Sequence, residues 1–141
     1  QRFSNTVFDQ NGQLKYTLKS PHLFHYASND FTLLSAPQIS LYEENKAPWE
    51  VKAQKGIIDK GDAITLGGNV NITGNSSDEK NPVTVSTSSL TLYTNEKRAE
   101  SKERVTIYSK ETAISGTGFK ADMVNSTIQL LTQVEGSHSK P

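Results

Sequence analysis

A chain of 141 residues, with fifteen basic side chains balancing fifteen acidic ones and no cysteine, has the length of one domain. Zero net charge leaves no basic field to hold a phosphate backbone, which excludes nucleic acid as a partner class and argues against an anionic membrane surface. The missing thiols exclude disulfides, thiolate metal sites and a cysteine nucleophile. Hydrophobic residues make up only 33% of the chain. Even with glycine counted, the apolar share stays below the roughly 45–50% of ordinary globular domains, so a thin or elongated body fits better than a thick α/β core.

The N-terminal stretch from Phe3 to Leu18 reads as two strands around the turn signal Asp9-Gln10-Asn11-Gly12. Ser28-Asn29-Asp30 and Glu43-Glu44-Asn45-Lys46 mark the next turns. Val51-Lys52-Ala53 alternates apolar with polar, and after Asp59-Lys60-Gly61-Asp62 so do Ile64-Thr65-Leu66 and Val70-Asn71-Ile72, with Gly67-Gly68-Asn69 between them read as a turn. A long loop, expected to be mobile, follows from Gly74 to Pro82. Beyond it come Val83-Thr84-Val85, Leu90-Thr91-Leu92, the turn Asn95-Glu96-Lys97, and Val105-Thr106-Ile107. The turn Gly116-Thr117-Gly118 precedes Phe119 to Met123, and Ile128-Gln129-Leu130 ends the series. Period-two alternation is the mark of half-buried antiparallel strands. Helical spacing is sustained nowhere. The expectation is an all-β single domain over 1–141, with about fifteen short strands in a sandwich, roll or barrel.

A weak repeat overlies this pattern. Val51-x-Ala53, Val85-x-Thr87 and Phe119-x-Ala121 recur at a spacing of 34, each followed by a second apolar pair. Such a unit reads as stacked hairpins.

Catalytic and metal chemistry find no constellation. His22 and His25 are three apart and so face opposite sides of a strand, and His138 is remote. Glu43-Glu44 and Asp59/Asp62 read as solvated turn carboxylates. Gly67-Gly68 opens no helix, as a phosphate cradle would. The chain is therefore read as a non-enzyme with no metal and no cofactor. What remains informative is the apolar stripe, which on alternation alone fits either a plain sandwich core or an interior groove for an apolar ligand.

Taken together, several motifs become family-specific. They are Gly12-x-Leu14-x-Tyr16, Leu33-Leu34-x-x-Pro37-x-Ile39-x-Leu41-Tyr42, Trp49-x-Val51-x-Ala53-x-x-Gly56, and Ile64-x-Leu66-x-Gly68-Asn69-Val70-x-Ile72. Leu90-x-Leu92-Tyr93, Val105-x-Ile107 and Ile114-x-Gly116-x-Gly118-Phe119-x-Ala121 complete the series. In this order and spacing they resemble the periplasmic domain of the LptC family of lipopolysaccharide export proteins. The resemblance implies an open antiparallel β-jellyroll, a twisted V of two sheets. It also implies a periplasmic domain that one N-terminal helix, absent from this chain, ties to the inner membrane. Its implied partners are lipopolysaccharide, the inner-membrane ABC transporter complex that extracts it, and a soluble periplasmic bridge protein. A homodimer is left open. Many relatives end their last strand with an aromatic just after the glycine, whereas this chain reads Gly136-Ser137-His138 there.

Alternation and resemblance together put Leu34, Val51, Ala53, Leu66, Val70, Ile72, Leu90, Leu92, Ile107, Phe119, Ala121, Ile128 and Leu130 on the interior, lipid-binding face. The resemblance assigns Phe3, Val7, Gly12, Gly118 and Ile128 to partner edges. Gly118 is expected to resist substitution, through a positive φ or through close approach of a neighbour. The runner-up reading is a carbohydrate-binding or adhesive β-sandwich, for which Tyr42, Tyr93 and Tyr108 would need to share one face.

Overall fold

The computed structural model describes residues 3–8, 10–28, 30–43, 47–59, 63–75, 82–125 and 127–138. Twelve strands account for most of them: β1 (Phe3–Phe8), β2 (Leu14–Ser20), β3 (His22–Tyr26), β4 (Phe31–Ser35), β5 (Gln38–Leu41), β6 (Trp49–Lys52), β7 (Lys55–Asp59), β8 (Ala63–Asn75), β9 (Pro82–Tyr93), β10 (Arg98–Ser109), β11 (Thr112–Asp122) and β12 (Thr127–His138). All pairings are antiparallel, in the order β1-β2-β5-β6-β8-β9-β10-β11-β12, with β3-β4-β7 forming a second branch that joins at β8. Among the described residues no helix is long and apolar enough to cross a membrane.

β8 is the strand that makes two arms from one sheet. Its Asn71–Thr73 stretch pairs with β6, while Ile64–Gly67 pairs with β7. β9 to β12 continue through both arms. One arm thus holds β1, β2, β5, β6 and one half of each long strand, and the other holds β3, β4, β7 and the remaining halves. The tips of the two arms meet: Lys97, in the turn after β9, bonds to Glu43 and to the Tyr42 carbonyl just beyond β5. The sheet is therefore folded over on itself as an open roll. One continuous cluster, from Leu18 and Leu34 through Val51, Leu66 and Val85 to Phe119, fills the fold.

The line of the bend is built from irregularities that align from strand to strand. β8 has one residue more than β9 between Gly67↔Ser89 and Val70↔Thr87. β10 has one more than either neighbour around Lys102-Glu103, and β12 has one more than β11 between Thr117↔Thr132 and Ser115↔Glu135. Such bulges bend a strand and tighten its twist. Each also breaks the ladder, and the freed backbone groups need partners. Hydroxyls supply several: Thr87 donates to the Arg104 carbonyl (2.9 Å), Ser101 to that of Ser89 (2.7 Å) and Thr132 to that of Thr117 (3.0 Å). At the corner between β2 and β3, buried Ser20 accepts from the Ser35 N–H at 3.1 Å. Sixteen serines and fourteen threonines therefore serve partly as ladder repair.

This geometry corrects part of the strand-by-strand expectation. Gly67-Gly68-Asn69 is a bulge inside β8, with φ +81° at Gly68 and +46° at Asn69. Gly116-Thr117-Gly118 lies inside β11, with φ +79° at Gly118. Glycine and asparagine at such points suggest turns, but here the surrounding strands carry the chain through left-handed residues. The about fifteen short strands expected become twelve, several of them 11–13 residues long. The repeat is real for two units only. Val51 and Val85 lie in the first arm, whereas Phe119 lies in the second, so its spacing of 34 is not structural equivalence. The inner part of the Gly74–Pro82 loop, 76–81, lies outside the described residues.

Candidate lipid groove and docking edges

The inward face follows from which positions alternate toward the cluster. On β8 these are Ile64 and Leu66, then Val70 and Ile72. On β9 they are Val85 and Thr87, then Leu90 and Leu92. Of the thirteen residues expected inside, Leu34, Val51, Leu66, Val70, Ile72, Leu90, Leu92, Phe119 and Ala121 are buried. Ala53, Ile107, Ile128 and Leu130 are partly buried and packed against the same cluster. Leu18, Ile39, Leu41, Trp49, Ile64, Val85, Ala99, Val105 and Met123 are buried in the same interior. All thirteen are thus brought to one apolar face.

That face is unevenly covered. β6, β8 and β9 contribute fully buried side chains, but on β12 the described apolar residues Ile128 and Leu130 are only half-buried, and Leu131 on the opposite side is 45% exposed. At the other end Phe8 is 58% exposed. The apolar interior is closed in the middle and thins toward both ends of the strand order. Both ends are also free edges. Among the described residues β1 pairs only with β2, β3 only with β4, and β12 only with β11, so each presents a row of backbone groups with no strand partner on one side.

The five edge residues fall in different settings. Phe3 opens β1 opposite Ser20, Val7 of the same strand pairs with Tyr16 of β2, and Gly12 sits in the β1–β2 hairpin at φ +78°. Ile128 is on the β12 edge. Gly118 is one strand in: a Cβ there would lie 3.2 Å from Leu131 Cδ1, so β12 covers it. The backbone is left-handed here, and what a Cβ would meet is the Leu131 side chain rather than a strand or partner backbone.

Polar groups do not converge. His25 shares Nδ1 with Thr32 Oγ1 at 2.8 Å. Among the described residues no three carboxylate or imidazole side chains gather as a metal site. Glu44 and Asp62, halves of the two carboxylate pairs, lie outside the described residues, and Glu43 is taken by Lys97 at 2.8 Å. Arg98 lies over the Tyr93 ring at 4.0 Å. The hydrogen bonds its guanidinium donates to the carboxylates of Glu96 and Glu100 push its pKa above the ordinary guanidinium value. With Tyr93 capped on the second arm, and Tyr42 and Tyr108 at tips of the first, the tyrosines form no common stacking face.

Sequence reasoning missed the contact between the arm tips. Locally Lys97 and Glu43 carry only turn signals, and nothing there marks a partner some fifty residues away.

Among the described residues the fold is thus an open β-roll with one continuous apolar face and strands at both ends that pair on one side. Comparison makes this specific: over residues 1–139 the chain matches the family described as Lipopolysaccharide-assembly, LptC-related. It belongs to that family, and so to lipopolysaccharide transport. A solved structure with the same fold is that of LptH from Pseudomonas aeruginosa, described as the LptA-homologous periplasmic component of the conserved lipopolysaccharide transport device. The TM-score is 0.67 at 5% identity, covering 89% of this chain and 95% of that one. No curated protein sequence is significantly similar.

Proposed function

We propose that this chain is the periplasmic domain of a lipopolysaccharide-carrying bridge. It accepts lipopolysaccharide from an inner-membrane ATP-driven extractor and passes it along its apolar interior to a soluble periplasmic bridge protein. The observation that carries this reading is the unbroken apolar face running from β2 to β12 between free edges, in a chain of the lipopolysaccharide-assembly family. Acyl chains cannot cross water uncovered, since each exposed methylene costs about 0.8 kcal/mol. An alternating strand face offers them non-directional contact at every step of a sliding path. No catalysis is required of this chain, because the extractor supplies the energy.

In the full-length protein an N-terminal helix anchors the domain to the inner membrane. The β1 and β3 edges then face the membrane complex and β12 faces the bridge protein, each by strand addition. The same edges can pair two copies of the isolated domain, which sedimentation would reveal. The decisive experiment is photocrosslinking. Crosslinkers at Leu66, Ile107 and Leu130 should capture lipopolysaccharide in vivo, and those at Lys52, Asn71 and Lys120 should not. The reverse pattern would mean that cargo runs over the outer surface.

A further inference from the structure

The middle of the interior described above is closed. Val51, Val70, Val85, Leu92 and Val105 from the two arms are completely buried against one another, so an acyl chain finds no free surface there while the arms stay together. The arms are joined in two ways. Along the bend, continuous strands and their ladders run from one arm into the other. At the mouth, where the tips meet, the described bonds are made by side chains. Lys97 Nζ donates to Glu43 Oε1 at 2.8 Å and to the Tyr42 carbonyl, and Lys15 Nζ donates to Asn95 Oδ1. The Lys97 and Glu43 side chains are 14% and 26% exposed, close enough to water to exchange each other for it. Lys97 is held for this contact: its backbone is left-handed (φ +53°) and its carbonyl accepts from the Met123 N–H at 2.9 Å.

We infer that the mouth between the arm tips is a lateral gate, that Lys97 with Glu43 is its latch, and that acyl chains reach the interior only when the tips part about the bend. This rests on the carrier reading above. The physical logic is a difference in bond type. Separating the tips exchanges a few charged side-chain bonds for water, whereas separating the arms at the bend would break ladders. Incoming acyl chains favour the open form by replacing the self-contacts of the interior.

The chain has no native cysteine, which makes the test clean. A Glu43→Cys/Lys97→Cys variant is divided into two samples, one bridged across the mouth with a short bismaleimide and one capped with N-ethylmaleimide. Unchanged far-UV dichroism shows that both remain folded. Uptake of a fluorescent lipid A is then followed by stopped flow. The capped form, latch broken, should take up lipid at least as fast as the native chain. The bridged form should be slower by about tenfold or more, which corresponds to about 1.4 kcal/mol. Uptake by the bridged form at the capped rate overturns the gate and leaves the carrier reading standing. Failure of native, capped and bridged forms alike to bind lipid A overturns the carrier reading and the gate with it.

Discussion

Gly118 and Gly74 are glycines for different reasons, and each makes a separable prediction. At Gly118 the backbone is left-handed and Leu131 of β12 lies over the missing side chain. Alanine should cost about 1–2 kcal/mol through the backbone term, read as a lower urea midpoint at unchanged slope. Arginine must in addition displace Leu131, so it should cost more and loosen β12. A Gly118→Arg protein as stable as the native one would remove any special role for this position. Gly74 has no positive φ, but a Cβ there would overlap the indole ring of Trp49, itself buried in the core. Gly74→Ala should destabilise by about 1–3 kcal/mol, as overpacking does. Since Trp49 is the only tryptophan, its emission should shift as the ring moves. An unchanged spectrum would mean that the ring is not displaced.

Strands were legible where their alternation keeps step, and illegible where it slips. In β9 the inward series Val85, Thr87 is followed by Leu90 and Leu92, and in β11 Ile114, Gly116 is followed by Phe119 and Ala121. The step across the bend is three residues, so the apolar phase inverts, and a reader of periodicity takes this for a strand end. In β8 and β10 the step is four, Leu66 to Val70 and Ser101 to Val105, and glycines or charged residues fill the gap. Lys110-Glu111 and Val124-Asn125, true turns, carry weaker local signals. At the second, Asp122 Oδ1 accepts from the backbone N–H groups of Val124 and Asn125 at 3.0 and 3.2 Å, a cap visible only once the chain has reversed. The inward residues were legible because two-residue alternation holds within each arm. The latch was not, because ion pairing between distant turns leaves no period. The edge role of β12 gives its own test. Successive residues on an edge strand turn their N–H groups alternately to the neighbour and to solvent. Of Ile128→Pro and Gln129→Pro, therefore, one should unsettle the β11–β12 ladder. The other should stay folded yet lose affinity for the bridge protein. Full affinity in the folded variant would remove β12 from that interface.

For the molecule as a whole, burial sets a gradient of local stability. Hydrogen exchange should be slowest at Val51, Val70, Ile72 and Val85, where side chains are fully covered, and fastest along β1, β3 and β12, which have a neighbour on one side only. Uniform protection across all strands would contradict this. The gradient suits a body that must keep its middle intact while its ends exchange partners.

The alternating steps of three and four across the bend have a consequence for how such a sequence can vary. Each arm asks only that every second residue be apolar, a condition met by many side chains, so substitution is cheap almost everywhere on the inward face. The number of residues between the arms is a different matter. Removing Asn69 from β8, or adding a residue at Ser88 in β9, would leave composition and propensity untouched. Beyond that point, however, it would turn every apolar side chain of the strand to the outer surface. The fold is therefore written mainly as a count, free in its letters and strict in its spacing. Its lineages should drift far in identity while insertions and deletions are confined to the hairpin tips.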